Sequence, residues 1–106
     1  MNSYIYTFVR QDLSPEQRIV QIGHACYEAG KKFQDDLGVS NLILLSVENE
    51  DELTDIAFKL DMRGIEYYMF YETDYGTGYT ALCTRPITDQ KERNFFSKWE
   101  LFRHTV

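Results

Sequence analysis

The chain has 106 residues, 43% hydrophobic and 26% charged, with 6 Gly and 2 Pro; that is the length of one domain and the balance of a soluble globule needing neither disulfides nor a structural metal, which excludes disordered and fibrous classes. Its net charge of −6, with the 11 Lys and Arg scattered, excludes a generic nucleic-acid surface, because phosphate contacts need clustered cations. No apolar run approaches a membrane span, and the start MNSYIYTFVR lacks the basic segment, apolar core and small-residue site of a secretory leader, so a cytoplasmic protein with no membrane contact is expected.

From Ser3 to Arg10 two residue sets alternate, Tyr4, Tyr6 and Phe8 against Ile5, Thr7 and Val9, all β-branched or aromatic, which predicts a first strand. Ser14 can cap a helix, Pro15 fits its first position and Gln17 holds the capping-box place, so a helix is expected from there to about Asp36, ahead of Gly38. Asn41 to Val47, NLILLSV, is a short continuous apolar run of the kind found in a strand covered on both faces. Asn49 and Glu52 repeat the capping spacing, and Leu53, Ile56, Ala57 and Leu60 form a helical stripe that ends at Gly64. Within it the acidic run Glu48, Glu50, Asp51, Glu52 and Asp55 reads as a solvated first helical turn.

IEYYMFYE, from Ile65 to Glu72, and GYTALCTR, from Gly78 to Arg85, predict a hairpin whose reversal is TDYGT. Pro86 closes it, and Asp89 with Glu92 opens a last helix that carries Phe95, Phe96 and Trp99 toward the core, before a tail LFRHTV. The order βαβαββα implies one α/β domain over residues 1–106, with right-handed crossovers and a mostly parallel sheet that the fourth strand enters antiparallel. In such sheets ligands sit beyond the carboxyl ends of the parallel strands, which here deliver Arg10 and Asp12, then 47–49, then Glu72 and Asp74.

On a helical wheel Ile19, Ile22, Cys26, Ala29 and Phe33 gather on one face, with Gly23 and Gly30 beside them to let the helix lie close on the sheet. Gln17, Gln21, His24 and Glu28 fall opposite, which periodicity alone reads as a solvated face. The helix start nevertheless follows the carboxyl end of strand one, where its unpaired amides would receive an anionic or carbonyl-bearing ligand, and Gln17 and Arg18 lie one turn inside. Asp12, just before the cap, is either a ligand-side carboxylate or a partner of the turn's own amides. Glu72 and Asp74 stand two apart, so in extended chain their carboxylates share a side; such a pair can supply a general base or orient water, or can simply mark the exposed edge of a turn. Thr77, Thr80 and Thr84 add hydroxyls nearby. Cys26 and Cys83 form no CxxC and read as two buried thiols, and no spacing of His24 or His104 with them suggests a metal site, so no metal is expected.

Three segments together resemble the type II peptidyl-tRNA hydrolase family. VRQDLSPEQRIVQIGHA resembles its signature of an Arg-x-Asp-Leu strand end followed by Gln-x-x-His-Ala in the helix. GYTALCTRP resembles its last strand, and FYETDYGTGYTA looks like a small divergent branch with an aromatic-x-Glu-x-Asp motif, whose ending KWELFR also resembles. The resemblance implies a three-layer α/β/α sandwich with a mixed four-stranded sheet, and a metal-free, cofactor-free hydrolase of the ester between a peptide and the 3′ end of tRNA. It implies catalytic roles for Asp74 or Glu72 with Gln17 or Arg18, and substrate-binding roles for Asp12, Gln21, His24 and Thr80. The chain departs from the family where a Gly-Lys pair opens the helix, having Glu16 and Gln17. Glutamine is a neutral donor where lysine supplies a fixed positive charge, so the alternative is a catalytically silent module of the same fold that binds a protein or small molecule; a homodimer is compatible with either.

Overall fold

The computed structural model describes residues 2–99. Strand β1 (Tyr4–Arg10) runs into helix α1 (Pro15–Lys32), followed by β2 (Asn41–Val47), α2 (Glu50–Met62), β3 (Tyr67–Glu72), β4 (Gly78–Thr84) and α3 (Gln90–Phe95). The sheet order is β2-β1-β4-β3, with β1 and β2 parallel and β4 antiparallel to both β1 and β3. Three strands therefore point one way and β4 the other, as the short reversal before it requires. Helix α1 covers one face, and α2 and α3 lie on the opposite one, which makes an α/β/α arrangement around a mixed four-stranded sheet.

The alternation in β1 sets up both cores. Tyr6 and Phe8 point into the larger one with Leu45, Val47, Leu53, Ile56, Leu60, Ile65, Leu82 and Phe96. Ile5 and Val9 point to α1, against Ala25, Ala29, Ala81 and Cys83. Each large side chain so buried contributes roughly 1.5–3 kcal/mol by leaving water. Aromatic packing closes the larger core from below, where Phe96 stacks on Tyr6 at 3.9 Å and Trp99 meets Phe8 edge-on at 5.3 Å.

Several expectations need correction. The inward line of α1 is Gln21, Ala25 and Ala29, at i, i+4 and i+8, while Ile19 is 70% exposed. Gln21 is thus a core residue, because a buried partner waits for it on the sheet. Gly23 and Gly30 are exposed, and a Cβ at either would meet nothing within 4 Å, so neither serves close packing. The helix ends at Lys32, where Phe33 caps it through its N–H to the Ala29 carbonyl. Strand β2 lies at the sheet edge and α1 rests across β1, β3 and β4, so Leu42 is exposed and the strand is not covered on both faces.

At the other end of the chain, Ile65 precedes β3 and is held by its N–H to the Leu60 carbonyl at 3.0 Å. The last helix stops at Phe95 and tightens into a 3-10 turn, Phe96–Lys98, with Phe95 and Phe96 buried and Trp99 half-buried. The tail LFRHTV, and with it the end of KWELFR, lies outside the described residues. Among the described residues, no helix is long and apolar enough to cross a membrane.

Candidate functional site

The cap of α1 forms as a full capping box: Gln17 N–H donates to Ser14 Oγ at 3.2 Å, and Ser14 N–H donates to Gln17 Oε1 at 3.0 Å. This fixes the helix start over the end of the β3–β4 hairpin. Extended geometry does not persist there. Asp74–Gly76 forms a 3-10 turn, with Tyr75 and Gly76 both in the left-handed region at φ 57° and 64°, so Glu72 and Asp74 are not neighbours on one strand face. The turn is held by the Asp74 carbonyl, which accepts from Thr77 N–H and Thr77 Oγ1.

Between helix start and hairpin lies a cleft of about 230 Å³ lined by Leu13, Glu16, Gln17, Val20, Gln21, Glu72, Asp74, Tyr75 and Thr77. Its walls come from two segments more than fifty residues apart. Of the sequence-derived candidates, the fold brings Gln17, Gln21, Glu72 and Asp74 together in this lining. Asp74 is exposed and Glu72 half-buried, so the two carboxylates meet the cleft in different settings. Behind it Thr80, fully buried, donates to Gln21 Oε1 at 2.7 Å. That bond occupies the carbonyl of the Gln21 amide and leaves its NH₂ end for other acceptors.

The other candidates lie outside the lining. Arg18 turns back to the chain before the helix, donating from Nε to the Leu13 carbonyl and from Nη2 to the Gln11 carbonyl. His24 is exposed and stacks on Phe70 with centroids 4.6 Å apart. Asp12 takes neither of its expected partners as its main one; it holds Arg10 in a bidentate pair at 2.8 and 2.9 Å, and that hydrogen-bonded guanidinium lowers its pKa from the ordinary carboxylate value. Thr84, expected near the site, sits at the far end of β4 and accepts from Tyr6 N–H.

Sequence reasoning missed the residues that hold the cleft in shape. Arg10, besides pairing with Asp12, donates from Nη1 to the Thr77 and Tyr79 carbonyls at 2.6 and 3.0 Å. Glu50 departs from the solvated acidic turn expected of it, reaching across to accept Tyr79 N–H at 2.7 Å. Gly78, at φ +82°, lies so close to the Glu50 carboxylate that any Cβ would run into it. These contacts tie the hairpin to the ends of β1 and α2. Tyr75 is fully exposed on the cleft rim in a backbone region that bulky residues seldom occupy.

Chemically the lining combines an apolar wall, Leu13 and Val20, with three carboxylates and two amides. Among the described residues no Lys or Arg lines it. No family model matches the chain, and no curated protein matches it. Among solved structures it is similar to the protein of unknown function Atu0240 from Agrobacterium tumefaciens strain C58, with a TM-score of 0.72 and 10% identity over 97% of this chain and 99% of that one. A likeness at that identity shows a shared fold and carries nothing about activity.

Proposed function

We propose that the chain is a peptidyl-tRNA hydrolase-like domain whose cleft receives an acyl ester at the 3′ end of tRNA. The observation that supports this reading is the convergence of Gln21 with Glu72 and Asp74 in one cleft, since these three come from the two separate motifs that resemble the family, with Gln17 beside them where the family has its lysine. In this mechanism the carboxylate of Asp74 or Glu72 takes a proton from water as its oxygen attacks the ester carbonyl carbon. The Gln17 amide donates to the developing oxyanion. The tetrahedral centre then expels the ribose 3′ oxygen, which leaves with a proton. Gln21, oriented by Thr80, presents its NH₂ end to the substrate, and Arg18, His24 and Asp12 meet the tRNA around the cleft.

A second reading has its own observation. Among the described residues the cleft lining carries three carboxylates and no Lys or Arg, Gln17 Oε1 is engaged by the Ser14 amide and Arg18 donates to backbone carbonyls. Such a lining suits an ammonium-bearing ligand with an apolar part better than a phosphate, and describes a silent binding module.

The experiment is hydrolysis of a labelled N-blocked aminoacyl-tRNA by the purified protein, beside Asp74→Asn, Glu72→Gln and Gln17→Lys variants. Turnover that falls by about 10²–10⁴ in one of the carboxylate variants is expected of the hydrolase. A silent wild type that gains activity on Gln17→Lys would instead establish a fold that has lost its chemistry. Silence in every variant moves the search to amine ligands and to protein partners, a second copy of the chain included.

A further inference from the structure

At the opposite end of α1 from that cleft, a cavity of about 420 Å³ is lined by Ile5, Ala29, Phe33, Ser40 and two thiols, Cys26 from α1 and Cys83 from β4. The Thr7 hydroxyl stands 3.4 Å from each sulfur and so bridges the two thiols. Both cysteines are free. Both border the cavity, Cys26 half-buried and Cys83 buried. The sequence, with the two residues far apart and in no recognisable spacing, gave no sign that they meet.

The pair is chemically unequal. Cys83 Sγ donates to the Thr84 carbonyl at 3.7 Å and accepts from the Thr7 hydroxyl at 3.4 Å, whereas Cys26 meets the same hydroxyl from the cavity wall. The neighbouring Cys83 thiol, with the Thr7 hydroxyl and against the effect of burial, lowers the Cys26 pKa to about 6, which favours the reactive thiolate. The Cys26 sulfur beside it, together with burial, pushes the Cys83 thiol up and keeps it protonated. Among the described lining residues Asp35 is acidic and none is Lys or Arg, which favours a neutral visitor over an anion.

We propose that Cys26 and Cys83 form a redox-active dithiol, in which Cys26 reacts with a neutral hydroperoxide entering the cavity and Cys83 resolves the product. The Cys26 thiolate attacks the terminal peroxide oxygen; the O–O bond breaks, and the departing alkoxide or hydroxide takes a proton to leave as alcohol or water. Cys26 is then a sulfenic acid. Cys83 sulfur attacks the Cys26 sulfur, the S–O bond breaks, and the hydroxyl leaves as water with the Cys83 proton. Two thiols and one hydroperoxide thus become one disulfide, one alcohol or water and one further water. Both sulfurs lie 3.4 Å from the same Thr7 hydroxyl, and the disulfide forms when they close across it to about 2.05 Å. In a reducing compartment such a bond is transient, which suits a redox-responsive role. This inference is independent of what occupies the cleft.

The test exposes the reduced wild-type protein to hydrogen peroxide at neutral pH and follows free thiols and intact mass. Loss of two thiols per monomer with loss of about 2 Da, reversed by dithiothreitol, is expected. Cys83→Ser should instead stop at a Cys26 sulfenic acid that dimedone traps, and Cys26→Ser should leave Cys83 unreacted. Iodoacetamide should label Cys26 of the untreated wild type at least about tenfold faster than Cys83. The proposal is overturned if the wild-type thiols survive peroxide, if Cys26 is oxidised with no intramolecular disulfide, or if the two cysteines are labelled at equal rates.

Discussion

Thr80 Oγ1 donates to Gln21 Oε1 at 2.7 Å, a bond between buried side chains 59 residues apart that joins the middle of α1 to β4 directly behind the cleft. The relationship gives Gln21 two duties. It satisfies a hydroxyl that the closely packed sheet face would otherwise leave without a partner, and it sets which end of its own amide faces the cleft.

The bond should therefore be visible in stability. Gln21→Leu strands the Thr80 hydroxyl in the interior, and Thr80→Val strands the Gln21 amide; each is expected to cost about 1–3 kcal/mol. Gln21→Leu with Thr80→Val removes both polar groups and should cost less than the sum of the two single changes. Urea denaturation of the four proteins measures the coupling. Strict additivity would mean the bond contributes nothing and that Gln21 is held in place by shape alone.

Two glycines should respond with opposite signs. Gly23→Ala places a methyl on the exposed side of α1, where nothing lies within 4 Å, and is expected to stabilise by about 0.5–1 kcal/mol. Gly78→Ala forces a side chain at φ +82° into the Glu50 carboxylate and should destabilise by about 1–3 kcal/mol. Thermal melts of both variants decide the matter. A Gly78→Ala melt equal to wild type would show that the Glu50 contact to the hairpin yields freely.

What the sequence showed and what it hid divide along a physical line. The Ser14–Gln17 capping box, the two-sided alternation of β1 and the β3–β4 hairpin are local patterns, and each appears where the residues indicated. The burial of Gln21 was illegible because its reason, Thr80, comes from another element. Once Gln21, Ala25 and Ala29 face inward, Ile19 lies about 160° round from Gln21 and must be exposed, whatever its hydrophobicity. Arg10, Glu50 and the Cys26–Cys83 pair were hidden for the same reason, since each acquires its role only through a partner distant in sequence.

Asp12 gives a pH dependence whose sign is determined. Its pKa is lowered from 3.8 by the Arg10 guanidinium, so the folded state favours the carboxylate; the resulting stability is fully present above that value and is lost as pH falls through the lower, folded one. Asp12 is 41% exposed, so the contribution is expected to stay under about 1 kcal/mol after solvent screening. Denaturation of wild type and Asp12→Asn from neutral pH downward should show wild type the more stable at first and the gap narrowing below the usual carboxylate range. A gap that persists in strong acid would assign the effect to packing.

Gln17→Lys, the change that would restore a cation to the cleft, should act on stability as well as on chemistry. Lysine has no acceptor for the Ser14 N–H, so half of the capping box is lost, at a cost of about 0.5–1 kcal/mol. A positive charge in the first turn also opposes the helix dipole, which adds about 0.3–1 kcal/mol. Glu16, Glu72 and Asp74 in the same lining offset part of this second effect. The expected result is a lower denaturation midpoint that recovers little with added salt, because the lost hydrogen bond is insensitive to screening. A midpoint at or above wild type would mean that the three carboxylates outweigh the cap, and that the cleft is electrostatically prepared for a cation which its own ligand then supplies.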